Sequence, residues 1–273
     1  MLISSLKIDG RNVVRLSIDG RKVKLGSSEE PGYLCFTSES GQSVIQLVKV
    51  GSPAEVLIET STDGRNWRHY EVGDTTTSET IGLIQGEKVY FKAMGVNDTF
   101  STGASNYYQF VMQGMIAASG NVNSLLNENF EDVDTLPNYC FYSLFLGCSA
   151  LTAAPELPAT AIGDYCYRFM FRNCTALTTA PELPATAIGD YCYNNMFIGC
   201  TSLTQAPNIL PAVVLKANCY SFMFSGCTAL TTAPEIKATT LADYCCQAMF
   251  QGCEALTTAP YLPATELALG CYA

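Results

Sequence analysis

One histidine and one tryptophan stand among 273 residues, and basic residues are few: 15 Lys and Arg against 25 Asp and Glu, a net charge of −10. Each shortage excludes a class of function. A chain this acidic lacks the basic surface that gripping phosphates requires, so nucleic acid is not an expected partner. His69 lies beside Trp67 and Tyr70 with no second histidine to share a metal or a proton relay, and it reads as a solvated side chain. Acidic residues are more common, yet no spacing marks two of them as a catalytic pair facing across a cleft. The expectation is a non-enzyme with no cofactor and no metal. No apolar run approaches the ~20 residues of a membrane-spanning helix. Met1-Leu-Ile-Ser-Ser-Leu runs straight into Lys7 and Asp9, without the long apolar stretch and cleavage site of a targeting signal.

Apolar residues (48%) and 13 cysteines are what the chain has instead. Cysteine recurs at Cys140, Cys166, Cys192, Cys219, Cys245 and Cys271, in steps of 26, 26, 27, 26 and 26 residues, and a second set follows the first five of these by eight: Cys148, Cys174, Cys200, Cys227 and Cys253. Such a period is the signature of stacked coils. Phe145, Phe171, Phe197, Phe224 and Phe250 occupy one position of the repeat. Ile162, Cys166 and Met170 lie four apart and are expected to share one face of a short helix. Gly147, Asn173, Gly199, Gly226 and Gly252 stand where that helix would stop in a left-handed residue. After the stop comes Leu-Thr-x-Ala-Pro, as in Leu177 to Pro181, whose proline confines a parallel strand to a few residues.

Seven residues separate the two cysteines of a coil, unlike the close pairs of zinc sites. Like cysteines therefore stack in columns and are read as small buried hydrophobes. In the first column, helices about 10 Å apart would keep α-carbons beyond disulfide reach; in the second, nearer the sheet, distance alone does not exclude a bridge.

The phrase Phe-x-Gly-Cys-Thr-x-Leu-Thr, a Pro-rich corner and Tyr-Cys-Tyr (Tyr165 to Tyr167, Tyr191 to Tyr193) resemble the BspA-like (Treponema-type) leucine-rich repeat family over roughly half the chain. The resemblance implies a right-handed α/β solenoid over 138–273, about five coils, with a narrow parallel sheet and one short helix per coil. It also implies adhesion or virion roles in gut bacteria and their phages. With no export signal, such a protein is either a mature or trimmed form or part of an object released by lysis.

Residues 1–26 carry a local +4, so the rest holds −14. Leu6-Lys-Ile-Asp-Gly-Arg is echoed ten residues on by Leu16-Ser-Ile-Asp-Gly-Arg, two Asp-Gly turns predicting a small hairpin unit. It is read either as an edge added to the next domain or as a docking segment for another virion or surface protein, through Arg11, Arg15, Arg21 and Lys22. It is similar to N-terminal segments of phage structural proteins. Residues 27–119 hold seven short alternating runs between turns, predicting an immunoglobulin-like β-sandwich with Trp67 in its core, and 120–137 is read as a linker or cap. The expected fold class is thus mixed, all-β and then α/β.

Positions that vary between coils place Arg168, Arg172 and Asn194 on one outer wall, with Tyr167 and Tyr193 beside them. That wall is either a solvated face or a recognition strip for a host surface protein or glycan. The sequence reading is a phage fibre or decoration protein at the virion surface, with a bacterial surface adhesin as the alternative. A homotrimer is compatible with a fibre, although no residue requires one. The chain stops within a sixth coil at Ala273, so a continuing chain or another subunit is expected over that end.

Overall fold

The structure, a computed structural model, describes the backbone of residues 6–9, 13–18 and 21–24 and residues 32–273 in full. Contacts divide it into two units, Met1–Pro31 and Gly32–Ala273. In the first, β1 (Leu6–Asp9), β2 (Val13–Ile18) and β3 (Arg21–Lys24) form an antiparallel meander with Leu6 opposite Leu16 and Leu16 opposite Val23. Arg15, Arg21 and Lys22 lie on its strands; Arg11 lies outside the described residues.

The second unit opens with two facing sheets. One contains β4 (Leu34–Ser38), β6 (Ile58–Ser61), β7 (Arg68–Tyr70), β9 (Lys88–Ala93) and β11 (Ile116–Ser119) in the order β11-β4-β9-β6-β7. The other orders β10 (Tyr107–Gln113), β5 (Gln42–Val50) and β8 (Ile81–Ile84) as β10-β5-β8. Along β5, Ser43, Ile45 and Leu47 are buried while Gln42 is exposed and Val44 and Gln46 are half-buried, the period of two that a sheet with one wet face requires. Phe36 and Phe91 of one sheet meet Phe110 of the other at ring distances of 4.8 and 5.3 Å. Each of the seven predicted runs carries a strand. Strand β11 was missed, because its Ala-Ala-Ser has the composition of a departing loop. Trp67 is not core: it lies half-buried between Tyr33 (4.9 Å) and the Lys92 ammonium (4.7 Å), and Tyr70 fills the core instead.

Residues 120–137 contain two 3-10 turns, Val122–Leu125 and Phe130–Asp132, and β12 (Thr135–Leu136). All four residues of the first turn are buried.

The expected α/β leucine-rich-repeat solenoid with one helix per coil is overturned. The chain is nearly all-β, and there is no α-helix among the described residues. The segments before the expected helix stops at Gly147, Asn173, Gly199, Gly226 and Gly252 are unbroken runs of turns, over 138–147, 164–173, 190–199, 217–226 and 243–252. Their hydrogen bonding gives the reason. An α-helix sends every N–H to the carbonyl four residues back. Here alternate amides leave the segment: Phe141, Ser143, Phe145 and Gly147 donate to Cys166, Arg168, Met170 and Arg172 of the next repeat at 2.8–3.0 Å. The amides between them close tight turns, with Tyr142 donating to Tyr139 and Leu146 to Ser143. Every fourth residue is left-handed, as at Tyr165 (φ 59°), Phe169 (59°) and Asn173 (60°). The true period is therefore 4.0 rather than 3.6. In an α-helix each four-residue step drifts by about 40°, whereas a period of 4.0 keeps Ile162, Cys166 and Met170 in line without drift.

Successive repeats consequently lie at hydrogen-bonding distance, not at helix-packing distance. This also corrects the argument that 10 Å separates the first cysteine column. Two-residue strands mark the corners: β14 (Ala161–Ile162) pairs in parallel with β12 and β15 (Ala187–Ile188), and β16 (Ile209–Leu210) pairs with β17 (Glu235–Ile236). The repeat stack is seated on the sheets. β13 (Leu151–Ala153) joins the edge of β11, and Phe145 stacks on Phe110 at 5.3 Å and 12°. From there the phenylalanine column continues through Phe171, Phe197, Phe224 and Phe250 at 5.3–5.7 Å with planes within 4°.

Candidate functional site

The four-residue period sorts side chains as two in, two out. In the second repeat Cys166, Tyr167, Met170, Phe171 and Cys174 are buried, whereas Tyr165, Arg168, Phe169 and Arg172 are only partly so and Asn173 is exposed. The left-handed residues of this repeat thus face outward, whereas Ser143, left-handed in the first repeat, is buried. For Tyr and Phe that conformation costs about 1–2 kcal/mol each. The inter-repeat hydrogen bonds and the stacked rings they align offset it, each aromatic pair adding about 0.5–1.5 kcal/mol beyond its buried area.

Of the predicted strip, Arg168 and Arg172 come together on the outer wall. Tyr167 and Tyr193 do not: both are 1% exposed and stack on each other inside at 5.7 Å. They were misplaced because a helical wheel puts them beside the arginines, whereas the period of four turns them inward. Asn194 is 4% exposed yet belongs to the wall's support. Its Oδ1 accepts from Arg168 Nε at 3.0 Å, and its Nδ2 donates to the Ser221 carbonyl at 3.3 Å.

The wall's aromatic members were not foreseen. Tyr139, Tyr165 and Tyr191 form a column with ring spacings of 4.7 and 4.9 Å and planes within 4°. The Arg168 guanidinium lies 4.6 Å from the Phe169 ring, 5.3 Å from Tyr191 and 5.5 Å from Tyr165. Arg172 lies 5.3 Å from the same Phe169 ring. Two cations therefore rest on one ring, an arrangement favoured by the ring's negative face. Among the described residues neither guanidinium has a carboxylate within 4.0 Å, and that of Arg172 makes no hydrogen bond. Burial, followed by the neighbouring phenols of Tyr139 and Tyr191, pushes the Tyr165 hydroxyl up, so it remains a donor at neutral pH. Column identity was visible in the sequence as Tyr-Cys-Tyr; its outward direction was not.

A second concavity, about 350 Å³, lies on the sheets and includes Lys49, Glu55, His69 and Glu71. His69 Nε2 stands 3.5 Å from the Glu71 carboxylate, with both side chains more than half exposed. The Tyr70 hydroxyl is committed: it donates to the Glu79 carbonyl and accepts from the Leu47 amide. The cleft brings no nucleophile to His69.

The twelve cysteines from Cys140 to Cys271 are free thiols, and no cluster that could hold a metal occurs among the described residues. The second column has a role that composition did not suggest. Cys148, Cys174, Cys200, Cys227 and Cys253 each donate the thiol to the carbonyl of Phe110, Phe145, Phe171, Phe197 or Phe224, one layer back, at 3.0–3.1 Å.

No helix among the described residues is long and apolar enough to cross a membrane. No family model, no curated protein and no solved structure matches this chain.

Proposed function

We propose that this chain is a non-enzymatic structural protein of a virion, a fibre or decoration component, that displays its repeat stack for attachment to a host or mucosal surface. The observation that carries the reading is a wall built to stay exposed. Arg168 and Arg172 rest on Phe169 without a neutralising partner, beside an ordered column of three tyrosines. Solvated walls seldom hold long side chains this firmly, since ordering each costs up to about 2 kcal/mol of rotamer entropy. The seating of the stack on the sheets through Phe110 and Phe145 makes it a stiff extension rather than a tethered domain. The basic N-terminal strands are the segment through which the chain docks on a neighbouring subunit.

The second reading, a bacterial surface adhesin, uses the same wall and is favoured by the likeness of the repeat phrase to BspA-like proteins. Antibody labelling separates the two: gold particles on purified virions support the first, and labelling confined to washed producer cells supports the second. Attachment is tested by binding the chain to bacterial cells and mucus. Equal binding by the Arg168→Gln, Arg172→Gln double variant would remove the wall from the reading.

A further inference from the structure

We propose that the wall takes a carboxylate-bearing linear polysaccharide, with carboxylates on Arg168 and Arg172 and sugar hydroxyls along the phenols of Tyr139, Tyr165 and Tyr191. This rests on the reading that the wall is the attachment surface, and it adds the chemistry of the ligand.

The charge argument comes first. The protein carries −10 overall with 25 acidic residues, yet among the described residues no carboxylate pairs with either guanidinium. Against that net negative charge, an anion reaching this wall meets two cations lying over one aromatic ring. Arg168 is further oriented through Nε by Asn194, which leaves its two terminal nitrogens as donors. That planar fork matches a carboxylate in bidentate geometry, and holding it in advance reduces the entropy lost on binding.

Periodicity selects the kind of molecule. Like groups repeat along the stack at 4.7 and 4.9 Å, so a ligand bound along it meets the same hydroxyl at each step. A polymer with a regular repeat satisfies such a row; the irregular acidic side chains of a protein do not. The ring faces of the column are already occupied by one another. What remains is a line of hydroxyl edges, which suits a hydrogen-bonding ligand better than an apolar one.

The test uses the full chain and polygalacturonate, with its carboxyl-reduced neutral counterpart and dextran sulfate, which carries sulfate but no carboxylate, alongside, by calorimetry or biolayer interferometry. Expected are binding to polygalacturonate, at least tenfold weaker binding to the reduced polymer, and loss with rising salt. Arg172→Gln should weaken binding about tenfold while Arg172→Lys, which keeps charge but not the fork, should fall between. Among the described residues the Arg172 guanidinium makes no hydrogen bond, and the backbone bonds of Arg172 do not depend on its side chain, so these variants should fold. Equal binding of the neutral polymer, with loss in Arg172→Gln, would overturn the carboxylate assignment and leave the attachment wall standing. Binding to the sulfated polymer alone would also overturn it. Absence of binding to every polymer, or binding indifferent to both arginines, would overturn the two together.

Discussion

Phe169 concentrates the tension between backbone and surface: an aromatic residue in the left-handed region (φ 59°), kept where the next repeat has Asn195 at φ 58°. Asparagine visits that region more cheaply than phenylalanine. Phe169→Asn should therefore leave the unfolding free energy unchanged or raise it by up to about 1 kcal/mol, while removing the platform under both arginines and weakening polymer binding. A loss above about 3 kcal/mol would instead mark the ring as core.

The buried thiols carry a pH dependence. Burial pushes Cys200 up to about 12 and Cys253 up to about 11, and Cys166, Cys174 and Cys192 rise for the same leading reason. An unfolded thiol titrates near about 8.5. A raised folded value means that the folded chain holds its proton longer, so stability is complete below about 8.5 and is lost as pH climbs towards 12. Denaturant midpoints measured from pH 6 to 11 should be level at first and then fall. A midpoint still level at pH 11 would contradict the burial of these thiols.

At the scale of elements, the corner entering each turn run is tied by a ladder of short polar side chains. Asn138 Oδ1 accepts from the Asp164 amide, Asp164 Oδ1 from the Asp190 amide, and Asp190 Oδ1 from the Ala217 amide, at 2.8–2.9 Å. The ladder stops at Ala217, in the repeat entered by the single 27-residue step, and resumes where Asp243 accepts from Leu269. A charged acceptor on a partly buried amide contributes about 1.5–3 kcal/mol. Asp190→Ala should cost about that much, and Asp190→Asn, which keeps the acceptor, about half or less. Chemical denaturation of the pair checks this; equal losses would mean that charge, not acceptance, holds the corner.

For the molecule as a whole, one continuous buried cluster runs from Leu34 through Phe110 and Phe145 to the last repeats. Stacked repeats are stabilised by their neighbours, and the first needs something to lie on; here the sheets supply it. Residues 32–273 should therefore unfold together. Trp67 fluorescence reports the sheets and far-UV circular dichroism the entire chain, and the two curves should coincide. Phe110→Ala should cost about 3–5 kcal/mol and shift both curves equally. Separate transitions would show that the stack holds itself up.

The sequence alone determined the period, the alternating strands between Leu34 and Gln113, the inward cysteines and phenylalanines, and the two arginines of the wall. These follow from which residues recur, and recurrence needs no coordinates. Tertiary structure decided the rest: that the repeats are turns and not helices, that Tyr167 and Tyr193 face inward, and that Tyr139, Tyr165 and Tyr191 face outward. The physical reason is that every second amide in the first four turn runs bonds to the next repeat rather than to its own. A local pattern of fours is compatible with a helix until the partner one repeat away claims those donors, and only the assembled stack brings that partner within reach.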